Sequence, residues 1–141
     1  MPKKKILIID DEKNLCILLK SNLENTGEYA VTTAYSGEEG LKKARETDFD
    51  LVITDFKMPG LNGREVLNAL KEMRPHSPVV LCSVYHDDPS TVTALDIAKA
   101  DGIIRKPFEH NQLYNTIKDI LADSSRTNAS KIKKEARDAK K

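Results

Sequence analysis

The chain of 141 residues contains no tryptophan, only two cysteines and few aromatic residues of any kind. It also lacks a long hydrophobic run, because the apolar segment after residues 3–5 lasts only four residues before Asp10. We therefore expect neither a signal peptide nor a membrane span, which needs about 20 apolar residues. Cys16 and Cys82 are interpreted as buried free thiols rather than a disulfide or metal site. These absences argue for a cytoplasmic protein.

The charge distribution divides the chain into two parts. The net charge is only +1, but residues 123–141 hold seven basic and three acidic residues, whereas residues 1–122 hold 16 and 19. We predict a mildly acidic domain at residues 4–122 and a basic C-terminal tail, or a truncated linker, at residues 123–141. The tail has few apolar positions, so we expect a solvated extension. A contact between the tail and nucleic acid or an acidic partner is the less favoured interpretation.

Short apolar runs alternate with helical patterns along the first 122 residues. We predict strands at about residues 6–9, 29–34, 51–54, 78–83 and 103–104, and helices at about residues 14–25, 36–46, 64–73, 87–99 and 109–121. This alternation predicts an α/β fold, a single (βα)5 doubly wound five-stranded parallel sheet with helices on both faces. Ligands of such sheets bind beyond the carboxyl ends of the strands.

Local signals support some of the helix starts. The segment SGEE at residues 36–39 fits a capping box, and DDP at residues 87–89 predicts the start of the fourth helix. Gly27 follows the first helix as a stop signal. The apolar stripe of that helix is predicted at Leu15, Ile17 or Leu18, Leu19 and Leu23.

Polar side chains follow four of the predicted strands. They are the acidic triplet DDE at residues 10–12, then Asp55, Ser83 and Lys106. In a parallel sheet all four sites lie at one edge, where hard carboxylate oxygens suit Mg²⁺ together with phosphate oxygens. An ammonium and a hydroxyl complement a phosphoryl group, and one carboxylate must act as its nucleophile. The pattern predicts a magnesium-dependent phosphoryl-transfer site.

Four motifs, in this order and spacing, resemble the receiver domain of two-component response regulators. They are IDDE at 9–12, TDFKMPGLNG at 54–63, VVLCSV at 79–84 and RKPF at 105–108. The resemblance covers about residues 4–122. It implies a flavodoxin-like, chemotaxis-regulator-like receiver fold and a signalling domain that catalyses only its own phosphotransfer and dephosphorylation. It thus implies a phosphoacceptor rather than an enzyme.

The resemblance also assigns the metal site residue by residue. Asp10 and Asp11 would be the acidic pair that binds Mg²⁺, and Asp55 and the backbone carbonyl of Lys57 would complete the ligands. Glu12 matches a third acid that is usually not a direct ligand. Taken alone, Asp10 and Asp11 could instead be helix-cap residues.

For the phosphoryl group, the resemblance implies that Asp55 is the phosphoacceptor. Ser83 would donate a hydrogen bond to the bound phosphoryl group, and Lys106 would pair with it electrostatically. The bond between Lys106 and Pro107 is expected to be cis.

The implied partners are a sensor histidine kinase or a histidine phosphotransfer domain, docking against the first helix, and a downstream effector protein. Phosphorylation would shift the surface of the fourth helix, fifth strand and fifth helix, which in this family also supports dimerisation. We expect no membrane contact, and no nucleic-acid binding by this domain.

The sequence departs from the family pattern around the switch. Val84 stands where a small residue usually follows the hydroxyl, and its bulk could hinder small phosphodonors. Ile103 replaces a common aromatic residue, although Tyr85 lies nearby as a packing or gating residue. Lys99-Ala100 replaces the usual Gly-Ala.

Alternative functions remain at this point. The chain could be the receiver of a larger DNA-binding or effector regulator, or a phosphorylation-independent pseudo-receiver that serves as a docking module. A phosphatase is disfavoured because Phe56 and Lys57, not a second acid, follow Asp55. The three histidines do not cluster at metal-ligand spacing.

Overall fold

The computed structural model describes residues 2–84 and 93–122. Strands and helices alternate in the order β1 (Lys4–Ile9), α1 (Lys13–Glu24), β2 (Tyr29–Ala34), α2 (Gly37–Glu46), β3 (Leu51–Asp55), α3 (Gly63–Met73), β4 (Val79–Val84), α4 (Ala94–Lys99), β5 (Gly102–Lys106) and α5 (His110–Ala122). All strand pairs are parallel, in the order β2-β1-β3-β4-β5. The predicted fold class is thereby confirmed, whereas the basic tail lies outside the described residues.

Apolar side chains from alternate strand positions form two cores, one on each face of the sheet. In β1, Leu7 and Ile9 pack into the core that α2 and α3 cover. Ile6 and Ile8 pack into the opposite core, beneath α1 and α5. Because both faces are covered, the strand reads as a continuous apolar run. Among the described residues, no helix is both long enough and apolar enough to cross a bilayer.

The exposed side of α1 differs from the prediction. Cys16, Leu19 and Leu23 form its buried stripe, so the prediction is confirmed at Leu19 and Leu23 and wrong for Ile17 or Leu18. These two side chains are instead 59% and 51% exposed. Both cysteines are buried and free, as predicted.

One half of the capping box predicted for α2 is present. Ser36 Oγ accepts a hydrogen bond from the Glu39 backbone N–H at 3.1 Å. The Glu39 carboxylate, however, accepts from the N–H of Tyr35 at 2.7 Å, one residue before the cap. A complete reciprocal box is present at α3, between Asn62 and Glu65.

In the described part of the chain, helix α4 begins at Ala94. Its N-cap is Thr93, which has extended backbone angles and shares a reciprocal capping box with Asp96. The predicted start at residues 87–89, together with Tyr85 and His86, lies outside the described residues. After α4, strand β5 ends at Lys106, and the peptide bond to Pro107 is cis, as expected from the resemblance.

Candidate functional site

The carboxyl end of the sheet gathers the predicted acidic residues. Asp10 directly follows β1, and Asp55 is the last residue of the adjacent strand β3. Asp10, Asp11 and Asp55 each place one carboxylate oxygen within 4.8 Å of the others. Within residues 2–84 and 93–122, this is the one group of three or more potential metal-binding side chains, and it includes no histidine. The structure therefore brings together the three predicted acidic side chains.

Lys106 reaches this cluster from the end of β5. Its Nζ lies 2.7 Å from Asp10 Oδ2, 3.5 Å from Asp55 Oδ2 and 3.7 Å from Glu12 Oε1. Burial lowers the pKa of Lys106, but the hydrogen bond to Asp10 and the charge of Asp55 outweigh it and raise that pKa above its ordinary value. The amine is thus a fixed cation, closer to Asp10 than to the predicted acceptor.

Asp10 makes one contact in the turn before α1 and another within the site. Its Oδ1 accepts the Glu12 backbone N–H at 2.9 Å, which shapes the turn into α1. Its Oδ2 accepts from Lys106 Nζ at 2.7 Å, which ties it to the site. The helix-cap interpretation is wrong for Asp10, because the N-cap of α1 is Glu12 and the helix has no side-chain cap hydrogen bond. The two oxygens of Asp10 serve the turn and the site instead.

Asp55 is the least satisfied group of the site. Its side chain is buried, and Oδ1 has no hydrogen-bond partner among the described residues. Burial raises the pKa of Asp55 to about 6, and the negative charge of Asp10 adds to this effect, whereas Lys106 opposes it. A buried oxygen without a donor, beside two further carboxylates, fits a hard divalent cation such as Mg²⁺.

The other two predicted site residues are less closely joined to the cluster. Ser83 is fully buried in β4, one residue beyond Cys82, which pairs with Asp55 across the sheet. Its hydroxyl contacts the backbone oxygen of Val84 at 3.4 Å. Lys57 is exposed two residues after β3, so the role of its carbonyl stays a prediction.

Val84, whose bulk could hinder small phosphodonors, is the last residue of β4. It pairs with Lys106 of β5, and its side chain is 43% exposed. Its bulk thus lies on the strand beside the cation, at the rim of the site. Its effect on small phosphodonors stays a prediction.

Both thiols adjoin the site, a proximity that sequence reasoning missed. Cys82 pairs with Asp55 between neighbouring strands, and Cys16 Sγ lies 3.4 Å from the backbone oxygen of Asp10. Burial raises the pKa of each thiol to about 12, so neither is a thiolate at neutral pH. Their contribution is packing around the carboxylates.

Gly63 holds the loop after β3 against the site. Its N–H donates to the backbone oxygen of Phe56 at 2.7 Å. A Cβ atom at this position would lie 2.5 Å from Phe56 Cα and 2.8 Å from the Asp55 backbone oxygen. The sequence marked this loop as a turn, but only the fold reveals that the glycine lets α3 approach Asp55.

Comparisons with known proteins agree with this geometry. The family described as the response regulator receiver domain matches residues 6–118. The transcriptional regulatory protein YkoG of Bacillus subtilis is 40% identical over 121 residues, which cover 86% of this chain and 52% of that protein. The alkaline phosphatase synthesis transcriptional regulatory protein PhoP of the same organism is 37% identical, with coverages of 86% and 50%. The chain thus spans about half the length of these two relatives.

A solved structure with similar geometry is that of the response regulator protein TrrA from Thermotoga maritima in complex with Mg(2+)-BeF. It is 35% identical, the match covers 83% of this chain and 98% of that one, and the TM-score is 0.74. The fold of this chain therefore has a counterpart in a solved protein.

Proposed function

The chain belongs to the response regulator receiver domain family, and on that premise we propose that it accepts a phosphoryl group on Asp55. The donor is a sensor histidine kinase or a histidine phosphotransfer domain. The observation that carries this proposal is the buried Asp55 carboxylate, whose Oδ1 has no hydrogen-bond partner among the described residues and whose Oδ2 lies 3.5 Å from Lys106 Nζ.

The transfer forms one bond and breaks another. A carboxylate oxygen of Asp55 attacks phosphorus, and the bond between phosphorus and the donor's imidazole nitrogen breaks. The imidazole keeps the electron pair and takes up a proton. Since the pKa of Asp55 is about 6, the nucleophile is mostly ionised at neutral pH. The Lys106 ammonium stabilises the charge on the transferring oxygens, and the Ser83 hydroxyl donates to one of them.

The acidic cluster is proposed to hold the divalent ion that this transfer needs. Asp10, Asp11 and Asp55, with the Lys57 carbonyl, would bind Mg²⁺, which supplies charge neutralisation to the phosphoryl oxygens. The crowding of three carboxylate oxygens within 4.8 Å supports this assignment, because such a group is costly without a cation.

Partner binding is proposed for two surfaces. Ile17 and Leu18 are exposed on α1, which begins beside Asp10, and they offer an apolar contact for the phosphodonor. The phosphorylated state would act on a downstream effector, or promote dimerisation, through α4, β5 and α5. We place this activity in the cytoplasm.

A larger regulator is the second candidate. The chain covers only about half of YkoG and PhoP, whose names describe transcriptional regulators. We propose that residues 4–122 are the receiver and that residues 123–141 form a basic tail or part of a linker to an output domain. A longer reading frame that encodes a DNA-binding domain would support this candidate.

The test is incubation with acetyl phosphate or phosphoramidate, with and without Mg²⁺, read by intact mass. The wild type should gain a Mg²⁺-dependent phosphate adduct, and Asp55→Asn should not. Asp50→Asn is the matched control, because Asp50 lies at the other end of the sheet and binds the Lys5 N–H at 2.7 Å. It should label like the wild type. An adduct retained by Asp55→Asn would rule out Asp55 as the acceptor.

Should the wild type remain unlabelled, a phosphorylated histidine phosphotransfer domain replaces the small donor. Labelling by that domain alone would mean that Val84 hinders small donors. No labelling by either donor would favour the pseudo-receiver.

A further inference from the structure

Helix α4 contacts its neighbour α3 through polar pairs. Arg64 of α3 binds Asp96 of α4, and one turn farther along α3 Asn68 Oδ1 accepts from Lys99 Nζ at 3.3 Å. The large apolar side chains of α4 are exposed instead, Leu95 by 63% and Ile97 by 43%. The seating of α4 against α3 therefore depends on charge and hydrogen-bond geometry more than on apolar burial.

The Arg64–Asp96 pair has a closely defined geometry. Arg64 Nε lies 2.9 Å from Asp96 Oδ1, and Nη2 lies 2.8 Å from Oδ2. Asp96 is only 3% exposed and also accepts the Thr93 N–H at 3.0 Å. A two-point contact of this kind fixes direction as well as distance. Removing the arginine would leave the Asp96 carboxylate buried without its cation. An uncompensated buried charge is unfavourable, so Asp96 would tend to move into contact with water.

The same guanidinium contacts the loop that follows Asp55. Arg64 is the second residue of α3, next to Gly63, whose N–H donates to Phe56 at 2.7 Å. The guanidinium carbon lies 5.5 Å from the centroid of the Phe56 ring. Phe56 directly follows Asp55 in the chain. One side chain thus bridges the acceptor loop, defined as residues 55–63, and the first turn of α4.

We propose that the Arg64–Asp96 pair is a positioning contact that couples the acceptor loop to helix α4. This inference rests on the proposed phosphorylation of Asp55. A shift of the loop moves the Phe56 ring and the start of α3, and the directional two-point bond passes that shift to Asp96 and the cap of α4. Coupling of this kind is reciprocal, so the state of α4 also biases ligand binding at Asp55.

The experiment compares hydrogen exchange of α4 with and without Mg²⁺ and beryllofluoride, a stable analogue of the phosphoryl group. The reporters are the amides of Ile97 and Ala100, which bind the backbone oxygens of Thr93 and Asp96. In the wild type we expect their exchange rates to change by about fivefold or more on ligand addition. In Arg64→Gln and Asp96→Asn we expect a change below about twofold, with beryllofluoride still bound according to fluorine NMR.

The choice of Asn at residue 96 and two control variants separate coupling from simple loss of structure. Asp96→Asn keeps an oxygen that can accept the Thr93 N–H, so it removes the charge pair but not the helix cap. Thr93→Ala removes the hydroxyl of that cap and should exchange faster in both states, yet retain the response to the ligand. Asn68→Ala removes the other polar contact between α3 and α4 and should also retain the response.

The outcomes are distinguishable. An unchanged response in Arg64→Gln, an equal loss in Asn68→Ala, or no response in a wild type that binds beryllofluoride would overturn the coupling and leave the proposed function standing. A wild type that neither binds beryllofluoride nor accepts phosphate would overturn the proposed function, and this inference with it.

Discussion

The two ends of the parallel sheet pair their carboxylates in different ways. At the amino end, Asp101 Oδ2 accepts from Lys71 Nζ at 2.6 Å and from the Val79 N–H at 2.8 Å. Asp50 Oδ2 accepts the Lys5 N–H at 2.7 Å. Each of these carboxylates meets a donor that belongs to another segment, so the amino end joins strands and helices.

At the carboxyl end, several carboxylates share one ammonium. Lys106 contacts Asp10, Glu12 and Asp55, while Asp55 Oδ1 has no partner among the described residues. Buried charge without a full set of partners costs stability. The amino end thus stabilises the fold, whereas the carboxyl end gives up stability, a cost that the proposed cation binding and phosphorylation at Asp55 would explain.

The two ends of the sheet should differ most in how much stability they lose when one methyl group is added. Gly63→Ala would force a Cβ to within 2.5 Å of Phe56 Cα, which cannot move without displacing Asp55. We expect a loss of about 3 kcal/mol in the free energy of unfolding, together with loss of phosphorylation. In Gly27→Ala, near the amino end, the new Cβ atom would have no other atom within 4 Å. Only the φ of 79° disfavours this substitution. Its expected cost is about 1 kcal/mol, with phosphorylation retained.

Urea unfolding and labelling by acetyl phosphate check this pair of substitutions. Equal costs at the two positions would contradict the close approach of α3 to Asp55.

The next effect concerns the amino end alone. Asp101→Ala should lower the free energy of unfolding by about 2 kcal/mol, because the largely buried Lys71 ammonium loses its anion and the Val79 N–H loses an acceptor. Asp101→Asn should cost less, because its side-chain oxygen can still accept from Val79. Equal losses for the two variants in urea unfolding would contradict a contribution from the hydrogen bond to Val79 and would assign the whole loss to the charge.

A smaller effect is expected from pH at the carboxyl end. The folded protein binds the Asp55 proton more tightly than the unfolded chain, since the folded pKa is raised from 3.8 to about 6. Without metal, stability from this group is therefore present at low pH and is lost as pH rises through 6. Between pH 5 and pH 7 the loss should be about 1 kcal/mol.

Urea unfolding in the presence of a chelator measures this slope, and Asp55→Asn should flatten it. The pKa of Asp96 is lowered from 3.8 by its hydrogen bond to Arg64, so its titration lies below this window. A wild type and a variant with the same slope would contradict the raised pKa of Asp55.

The fold was predictable because its signals are local. The alternation of apolar runs and helical stripes led to the correct parallel sheet. Helix starts were harder, because competing cap signals lie close together. The start predicted from the motif DDP lies outside the described residues, and the described helix α4 has its capping box between Thr93 and Asp96. In α1, apolar residue type alone assigned Ile17 or Leu18 to the buried stripe, whereas the packing of the helix places Cys16 there and leaves both larger side chains exposed.

The site was predictable as a set of residues but not as a set of contacts. Strand-end positions identified Asp10, Asp55 and Lys106, since parallel strands deliver their ends to one edge. The preference of Lys106 for Asp10 depends on a side chain that reaches past β4 and β3, which no spacing encodes. The Arg64–Asp96 pair is likewise a contact between helices 32 residues apart, set by how α3 and α4 pack.

The most direct test of the contrast between the two ends is urea unfolding of the wild type and Asp55→Asn at pH 7, without metal and with saturating Mg²⁺. We expect the variant to be more stable than the wild type by about 2 kcal/mol in the absence of metal. Mg²⁺ should stabilise the wild type more than the variant. A variant less stable than the wild type in the absence of metal would contradict the claim that this carboxylate is held at a cost to the fold.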